Sequence, residues 1–397
     1  IQNYTKYSDR ITVRYIDLYT NPDLQQKYSR ETLSVGGILV ECGERYQTLT
    51  AYDLFNTQTD QQTGSAYITS SKAEQSMTSA IMNVTNANPP KAAVLTGYNT
   101  TDISDFTSIL ESNGYVVEEV NLMTGELSAD YTMAILAAPM IDLGEAELSK
   151  LDTFLDNDGQ FGKNLLYFAS VSQPDLPLLE EFLEEWGIVV GDGYVYETDP
   201  NYVYFDPSWT MQEYGDELYT EELATTDLPV MIPASRPLES AFGDLAVDSN
   251  RKTSILLSSH DSAVVVPPDA IGSSDSTWDP ETDGEQGAYA TAMEGSRTKY
   301  EGTTQLVSRV VAFGSVDIIN SSFLNFAAIN NADYVLNACN YICDKEEGIS
   351  IIPKTLGSTN LGISQGQANF IGSCAQFVLP ILVLVVGGFV WIRRRNK

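Results

Sequence analysis

His260 is the only histidine in the chain, and it stands in Leu-Leu-Ser-Ser-His-Asp-Ser with Ser259 before it and Asp261 after it. Serine, histidine and aspartate are the residue types of nucleophilic acyl transfer. There an imidazole takes the proton of a hydroxyl and a carboxylate orients the imidazole. Neighbouring side chains rarely converge, so the run is not itself a triad, and His260 reads as a turn or strand-end residue. A second run, Trp-Asp-Pro-Glu-Thr-Asp-Gly-Glu-Gln-Gly, alternates the carboxylates Asp279, Glu281, Asp283 and Glu285 and has Gly284 in sixth place. That is the opening of a calcium loop, but the twelfth place holds Ala290 where a bidentate Glu is needed. A solvated acidic loop is the expectation.

The cysteines are Cys42, Cys339, Cys343 and Cys374, with no Cys-x-x-Cys. Cys339 and Cys343 are four apart and share a helix face, and ordinary packing is expected for Cys42 and Cys339. One histidine cannot build a dense zinc site. The loop Gly97-Tyr98-Asn99-Thr100-Thr101-Asp102 follows a predicted strand, the place where doubly wound sheets bind ligands. It holds one Gly and no Lys or Arg, so nucleotide binding is not expected, and Walker A is absent. No catalytic, cofactor-binding or metal-ligating residue is assigned, and no cofactor is expected.

The positioning elements follow from periodicity. Residues 11–18 have the β-branched and aromatic content of a strand, 21–28 form a short helix, and 36–42 and 45–50 form two strands around Gly43-Glu44. This order, over residues 1–55, resembles half of a thioredoxin-like domain. Residues 56–65 read as a linker, and 67–87 as a helix that ends at Pro89-Pro90; together 56–90 make a linker and helix. From residue 91 to 355 the pattern is α/β, with strands at 91–97, 115–122, 133–139 and 164–170 and helices at 102–114, 144–157 and 176–187. It predicts a mostly parallel sheet covered on both faces. Within this region, 194–209 is extended, 254–259 and 306–315 are strands, 261–301 is an acidic loop, 333–345 is a helix and 349–355 is extended.

Residues 356–371 form a juxtamembrane link. Residues 372–392 lack Asp, Glu, Lys and Arg and precede Arg-Arg-Arg-Asn-Lys at 393–397. About 20 apolar residues span a bilayer core, and basic residues after them face the cytoplasm. A transmembrane helix with a basic cytoplasmic tail is expected, at the cell membrane, with the large domain extracytoplasmic and the lipid bilayer as a partner. An exported domain needs a signal peptide or an upstream membrane helix. The start at Ile1 is therefore read as an N-terminal truncation. The chain carries 22 Lys and Arg against 54 Asp and Glu, a formal net charge of -32. Such a surface repels nucleic acid and anionic headgroups, and no nucleic-acid partner is expected.

Several stretches, taken in order, resemble a known family. They are ITVRYIDLYTNPDLQQKY, GGILVECGERYQTLTAYDLF, KAEQSMTSAIMNVTNANPPKAAVLTG, LSADYTMAILAAPMIDLGEAELSKLDTFLDNDG, LLEEFLEEWGIVVGDG, SRVVAFGSVDIINSSFL and the C-terminal apolar run. The chain is similar in these to the extracytoplasmic auxiliary subunits of ABC-2-type transport systems, the group that includes the gliding-motility protein GldG. The resemblance implies an α/β part like the class I glutamine amidotransferase-like fold. It also implies a non-catalytic accessory role, with an ABC permease and ATPase as partners. After the strand ending in Gly97 the family often has Gly-His-Gly-Glu, whereas here Tyr98, Asn99 and Thr100 follow. The amidotransferase Cys–His pair has no evident counterpart, and Val171 and Ser172 follow the strand at 164–170. The alternative is a membrane-anchored surface hydrolase or glycan-binding module, and Tyr, Asn and Gly are common in the segments that would build its cleft.

Overall fold

The computed structural model describes residues 4–345, apart from 22, 29–32, 44, 60–65, 222, 224–226, 243–249, 271–277, 281 and 327, and only scattered positions beyond 345. The N-terminal region opens with two short helices, α1 (Tyr4–Tyr7) and α2 (Asp23–Lys27). Strands β1 (Ile38–Cys42) and β2 (Arg45–Leu49) then pair antiparallel. A one-turn helix, α3 (Ala51–Leu54), is closed by Asp53, whose carboxylate accepts the Thr50 N–H at 2.6 Å. Strands β3 (Phe55–Thr59) and β4 (Ala66–Ser71) pair antiparallel and lead into α4 (Ala73–Thr85). The strand expected at 11–18 is irregular: Arg14–Asp17 lack ladder partners and are mostly exposed. The linker expected at 56–65 begins as β3, and the helix expected from residue 67 begins as β4. Their pairing runs from Phe55↔Ser71 to Thr59↔Ala66.

The remainder is built on one mixed sheet. Its strands are β5 (Lys91–Thr96), β6 (Val116–Asn121), β7 (Met133–Ala137), β8 (Asn164–Phe168), β9 (Ile188–Val190), β11 (Trp209–Tyr214), β12 (Val230–Pro233), β13 (Leu238–Ser240), β14 (Arg251–Ser258), β16 (Ala290–Glu301) and β17 (Thr304–Phe313), while β10 (Tyr194–Glu197) and β15 (Ala263–Val266) form a separate ribbon. The helices are α5 (Ser104–Ser112), α6 (Glu145–Asp156), α7 (Pro177–Glu185), α8 (Ser321–Leu324) and α9 (Asn331–Ile342). A last short strand, β18 (Lys354–Thr355), pairs with β4.

The order along the main sheet is β12-β11-β14-β16-β17-β8-β7-β5-β6. From β17 to β6 every pairing is parallel, and from β17 to β12 every pairing is antiparallel. The expected α/β architecture is present, but as a mixed sheet rather than the mostly parallel one expected with the class I glutamine amidotransferase-like resemblance. The acidic loop expected at 261–301 is the largest departure. It contains β15 and the 12-residue β16, whose ten paired positions with β17 run from Ala292↔Phe313 to Glu301↔Thr304. The small and charged residues of Ala-Thr-Ala-Met-Glu-Gly-Ser-Arg hide a strand that lies buried between β14 and β17.

Both faces of the sheet carry cores. On one face α5 and α9 cover Val94, Ile135, Phe168, Val311 and Phe313; on the other, α6 and α7 cover Leu95, Leu136, Leu165 and Val310. Strands β7 and β8 are buried at every residue, which is why their sequences are almost wholly apolar. Each helix offers its core face at three- and four-residue spacing: Phe106 and Leu110 in α5, Leu151, Phe154 and Leu155 in α6, Leu179, Phe182 and Leu183 in α7. Helix α9 is buried on more than one side and carries asparagines there. Asn331 pairs with the edge of β12, accepting the Met231 N–H at 2.9 Å and donating to the Met231 carbonyl at 2.8 Å. A fully buried edge strand is thereby satisfied.

Candidate functional site

The strand directions bring one set of loops to one edge of the sheet. The carboxyl ends of β5, β7, β8 and β17 lie there together with the end of β14, the end of β12 and the starts of β11 and β16. Register sets the level: Ala137, Phe168 and Phe313 are aligned, and Ser258 is opposite Ala290. On β11, Glu213 is opposite Ser258, so Trp209 to Gln212 run on past the end of β14.

In the parallel half the loops bond to one another. The Tyr98 carbonyl accepts the N–H groups of Met140 and Ile141 at 2.9 and 3.2 Å. Gln173 accepts the Ser170 N–H at 2.6 Å and donates to the Pro139 carbonyl at 2.9 Å. Asp142 accepts the N–H groups of Leu178 and Leu179, capping α7. Two alanines with left-handed backbones follow strands, Ala138 after the central β7 and Ala234 after the edge strand β12, each at φ 43°; such a conformation is costly for a residue with a Cβ. The Tyr98 side chain is buried, and among the described residues its hydroxyl finds no partner. Burial pushes that phenol up to about 12. Ser170 and Ser172 share a hydrogen bond of 2.9 Å.

In the antiparallel half the ribbon of β10 and β15 roofs the edge. His260 follows β14. Its ring stacks on Tyr202 with centroids 3.5 Å apart, and Nδ1 lies 3.0 Å from Glu213 Oε1. The orienting carboxylate is thus Glu213 on β11, not the adjacent Asp261. Ser259 Oγ is taken up locally, accepting the Tyr289 N–H and donating to the His260 carbonyl. The sequence shows no signal for the His260–Glu213 pair, since 46 residues and the β11–β14 register lie between its members. Ser262 Oγ donates to Glu197 at 2.5 Å, and among the described residues the other, buried oxygen of Glu197 has no partner.

Beside this pair the aromatic residues of 202–209 meet those of α8 and the residues just after it. Phe326 packs on Tyr204 at 5.1 Å, Tyr204 on Phe205 at 4.5 Å, Phe205 on Trp209 at 6.0 Å and Trp209 on Phe323 at 5.1 Å, all nearly edge to face. The two ends of this chain of contacts, Phe323 and Phe326, lie three residues apart and are joined by a backbone hydrogen bond. Phe205 is 71% exposed. Asp199, Asn201 and Asp206 belong to the same segment; Asn201 and Asp206 are exposed and Asp199 is half-buried.

The other sequence candidates fall elsewhere. Asp283 accepts the Asp279 N–H at 2.9 Å in a local turn, Ala290 begins β16, and Glu281 lies outside the described residues. Among the described residues no group of acids, cysteines or histidine could hold a metal. Cys339 and Cys343 are free thiols in the core on and just after α9; burial pushes Cys339 well up and Cys343 to about 11. Cys42 is exposed rather than packed, because it ends the outer strand of the two-stranded β1–β2 sheet. A Gly-x-Ser-x-Gly run occurs at 362–366, outside the described residues.

No protein-family model matches the chain, and no curated protein matches it. Among solved structures it is similar to the mmIFT52 N-terminal domain, at 13% identity over 66% of this chain and 100% of that one, with a TM-score of 0.44. It is similar to PurLQS from Thermotoga maritima at 12% identity over 63% of this chain and 99% of that one, TM-score 0.31. A glutamine amidotransferase from Thermotoga maritima matches at 9% identity over 65% of this chain and 85% of that one, TM-score 0.29. These findings correct the expected GldG-like identity: the matched structures are of other kinds. The expected non-catalytic accessory role in ABC transport and gliding motility is corrected with it. So is the expectation that the chain is no enzyme, because a glutamine amidotransferase stands among the matches. The expected placement at the cell membrane is corrected as well, since what the structure describes is a mixed-sheet domain. No described helix is long and apolar enough to cross a membrane, and the expected span at 372–392 lies outside the described residues apart from Gly372 and Gln376.

Proposed function

We propose that the chain is a recognition domain that binds a basic, extended partner segment at the aromatic ring of Tyr204, Phe205, Trp209, Phe323 and Phe326. The observation that carries this reading is the run of edge-to-face contacts that links these five side chains, with Phe205 71% exposed. Exposed contiguous apolar surface marks interaction sites, and Trp, Tyr and Phe concentrate binding energy in them. The partner's charge follows from the surroundings. Asp199 and Asp206 stand in the ring's own segment, and the whole chain carries a net charge of -32. That field draws cations toward the site, and aromatic faces hold Arg and Lys.

Titration of the full chain with Arg- and Lys-containing peptides tests this. Saturable binding is expected, weakened by added salt and weakened about tenfold or more in Phe205→Ala and Trp209→Ala. Binding of neutral oligosaccharides without peptide binding would replace this reading by glycan recognition.

A second reading, acid–base hydrolysis, rests on His260. Its Nδ1 is engaged by Glu213, which orients the ring and frees Nε2 to take a proton from water. Hydrolysis of activated esters should then fall about 100-fold or more in His260→Gln; unchanged hydrolysis in that variant would dispose of it. For residues 1–55 the half-thioredoxin reading is kept as a proposal, supported by α2 followed by the β1–β2 hairpin.

A further inference from the structure

At the edge opposite the aromatic ring, a cavity of about 350 Å³ opens between the last turns of α9 and the 3-10 turn Glu217–Tyr219. The edge is identified by Asn164 at the start of β8, which donates to the Ile342 carbonyl at 2.7 Å. Asn337 and Asn340 line the cavity and are only 7% and 3% exposed. Each spends half of its amide on the protein: Asn337 Nδ2 donates to the Tyr219 carbonyl at 2.8 Å, and Asn340 Oδ1 accepts from the Tyr115 hydroxyl at 2.9 Å. The remaining atoms, the acceptor Asn337 Oδ1 and the donor Asn340 Nδ2, belong to residues that line the cavity.

The charges around these amides are of both signs. Lys345 lines the cavity half-buried, donates to the Asn113 carbonyl and lies 4.8 Å over the Tyr115 ring. Among the described residues no carboxylate pairs with it. Burial holds its ammonium below the ordinary lysine range, as expected of a cation short of a counter-ion. Glu221 and Asp344 line the same cavity, and among the described residues neither is in an ion pair. Leu218 and Tyr341 supply the apolar part of the wall. The volume lies at the lower end of small-molecule sites.

We propose that this cavity binds a small zwitterion of amino-acid size. Its carboxylate meets Lys345 and its ammonium faces Glu221 and Asp344, while Asn337 and Asn340 complete the hydrogen bonds. A lone anion would leave the two acids unanswered, and a lone cation would leave Lys345 unanswered. The site is independent of the aromatic ring, so failure of either proposal leaves the other standing.

Calorimetric titration of the full chain with L-leucine, L-lysine and L-glutamate, beside acetate and methylamine, tests the proposal. At least one amino acid should bind saturably and raise the unfolding temperature, with acetate and methylamine at least about tenfold weaker. Lys345→Gln and Glu221→Gln should each weaken that amino acid about tenfold. Glu221 is exposed, so its variant keeps the fold if Lys345→Gln does not. Absence of saturable binding by all three amino acids would overturn the proposal. Equal affinity for acetate or for methylamine, or an affinity unchanged in Glu221→Gln, would do so too.

Discussion

After β5, β7 and β8 the chain turns back in loops that bond to one another, whereas around β11 and β14 the same sheet edge turns side chains outward. The parallel half spends its polar groups internally: Tyr98 on Met140 and Ile141, Gln173 on Ser170 and Pro139, Asp142 on α7. The antiparallel half has β11 and β12 running past the end of β14, with Phe205 exposed and Tyr202, Trp209 and His260 half-buried. In a doubly wound sheet the crevice between β5 and β7 is the usual ligand site. Here the linked aromatic residues have gathered on the antiparallel extension instead, where β11 outreaches the end of β14.

The sharpest way to break this comparison is at the centre of the sheet. Phe168 stacks on Phe313 at 5.2 Å and meets Phe106 edge to face at 6.0 Å. Phe168→Ala should cost about 3–5 kcal/mol in a denaturant titration, with far-ultraviolet dichroism and tryptophan fluorescence moving together. Separate transitions would mean that the two halves unfold as two units. Next comes the outer antiparallel edge, where Asn331→Ala removes both bonds to Met231 and should cost about 1–3 kcal/mol. Hydrogen exchange of the Met231 amide should rise with it; a protected amide would show that β12 is held by other means.

Asp317 tests the join between the halves, since it follows β17. Burial holds its carboxyl above the ordinary value of 3.8. A raised carboxyl pKa contributes stability below the unfolded value and loses that contribution as pH rises through the folded one. Asp317→Asn should therefore gain on the native chain between pH 4 and pH 7. An equal stability difference at both would remove the burial argument. The smallest effect is expected at the aromatic ring, where exposed Phe205→Ala should change stability by no more than about 0.5 kcal/mol while impairing partner binding. A loss of several kcal/mol in an unfolding curve would make the ring a core, not a surface.

Much of the parallel half was legible from periodicity. Strands β5 to β8 and helices α5 to α7 lie within a few residues of their predicted spans, since short apolar runs and amphipathic faces alternate there with Gly and Pro between them. What escaped was β16, whose Ala, Thr, Gly and Ser positions are buried for their smallness: a Cβ on Gly295 would meet the Trp186 carbonyl at 2.1 Å. Close backbone approach selects small residues, and small residues carry no strand signal. Also hidden were β3, β4 and the His260–Glu213 pair, all of which depend on partners chosen by register.

Composition and spacing alone determined that this chain is an acidic α/β protein with a covered sheet and thiols placed on a helix face, because burial on two faces writes itself into apolar runs. Tertiary structure alone decided that the sheet continues antiparallel beyond β17. It also decided that His260 is oriented by Glu213 and that five aromatic residues from two segments pack into one cluster. Those outcomes rest on which strand lies beside which, and strand pairing is settled by packing across the whole sheet rather than by any local run of residues.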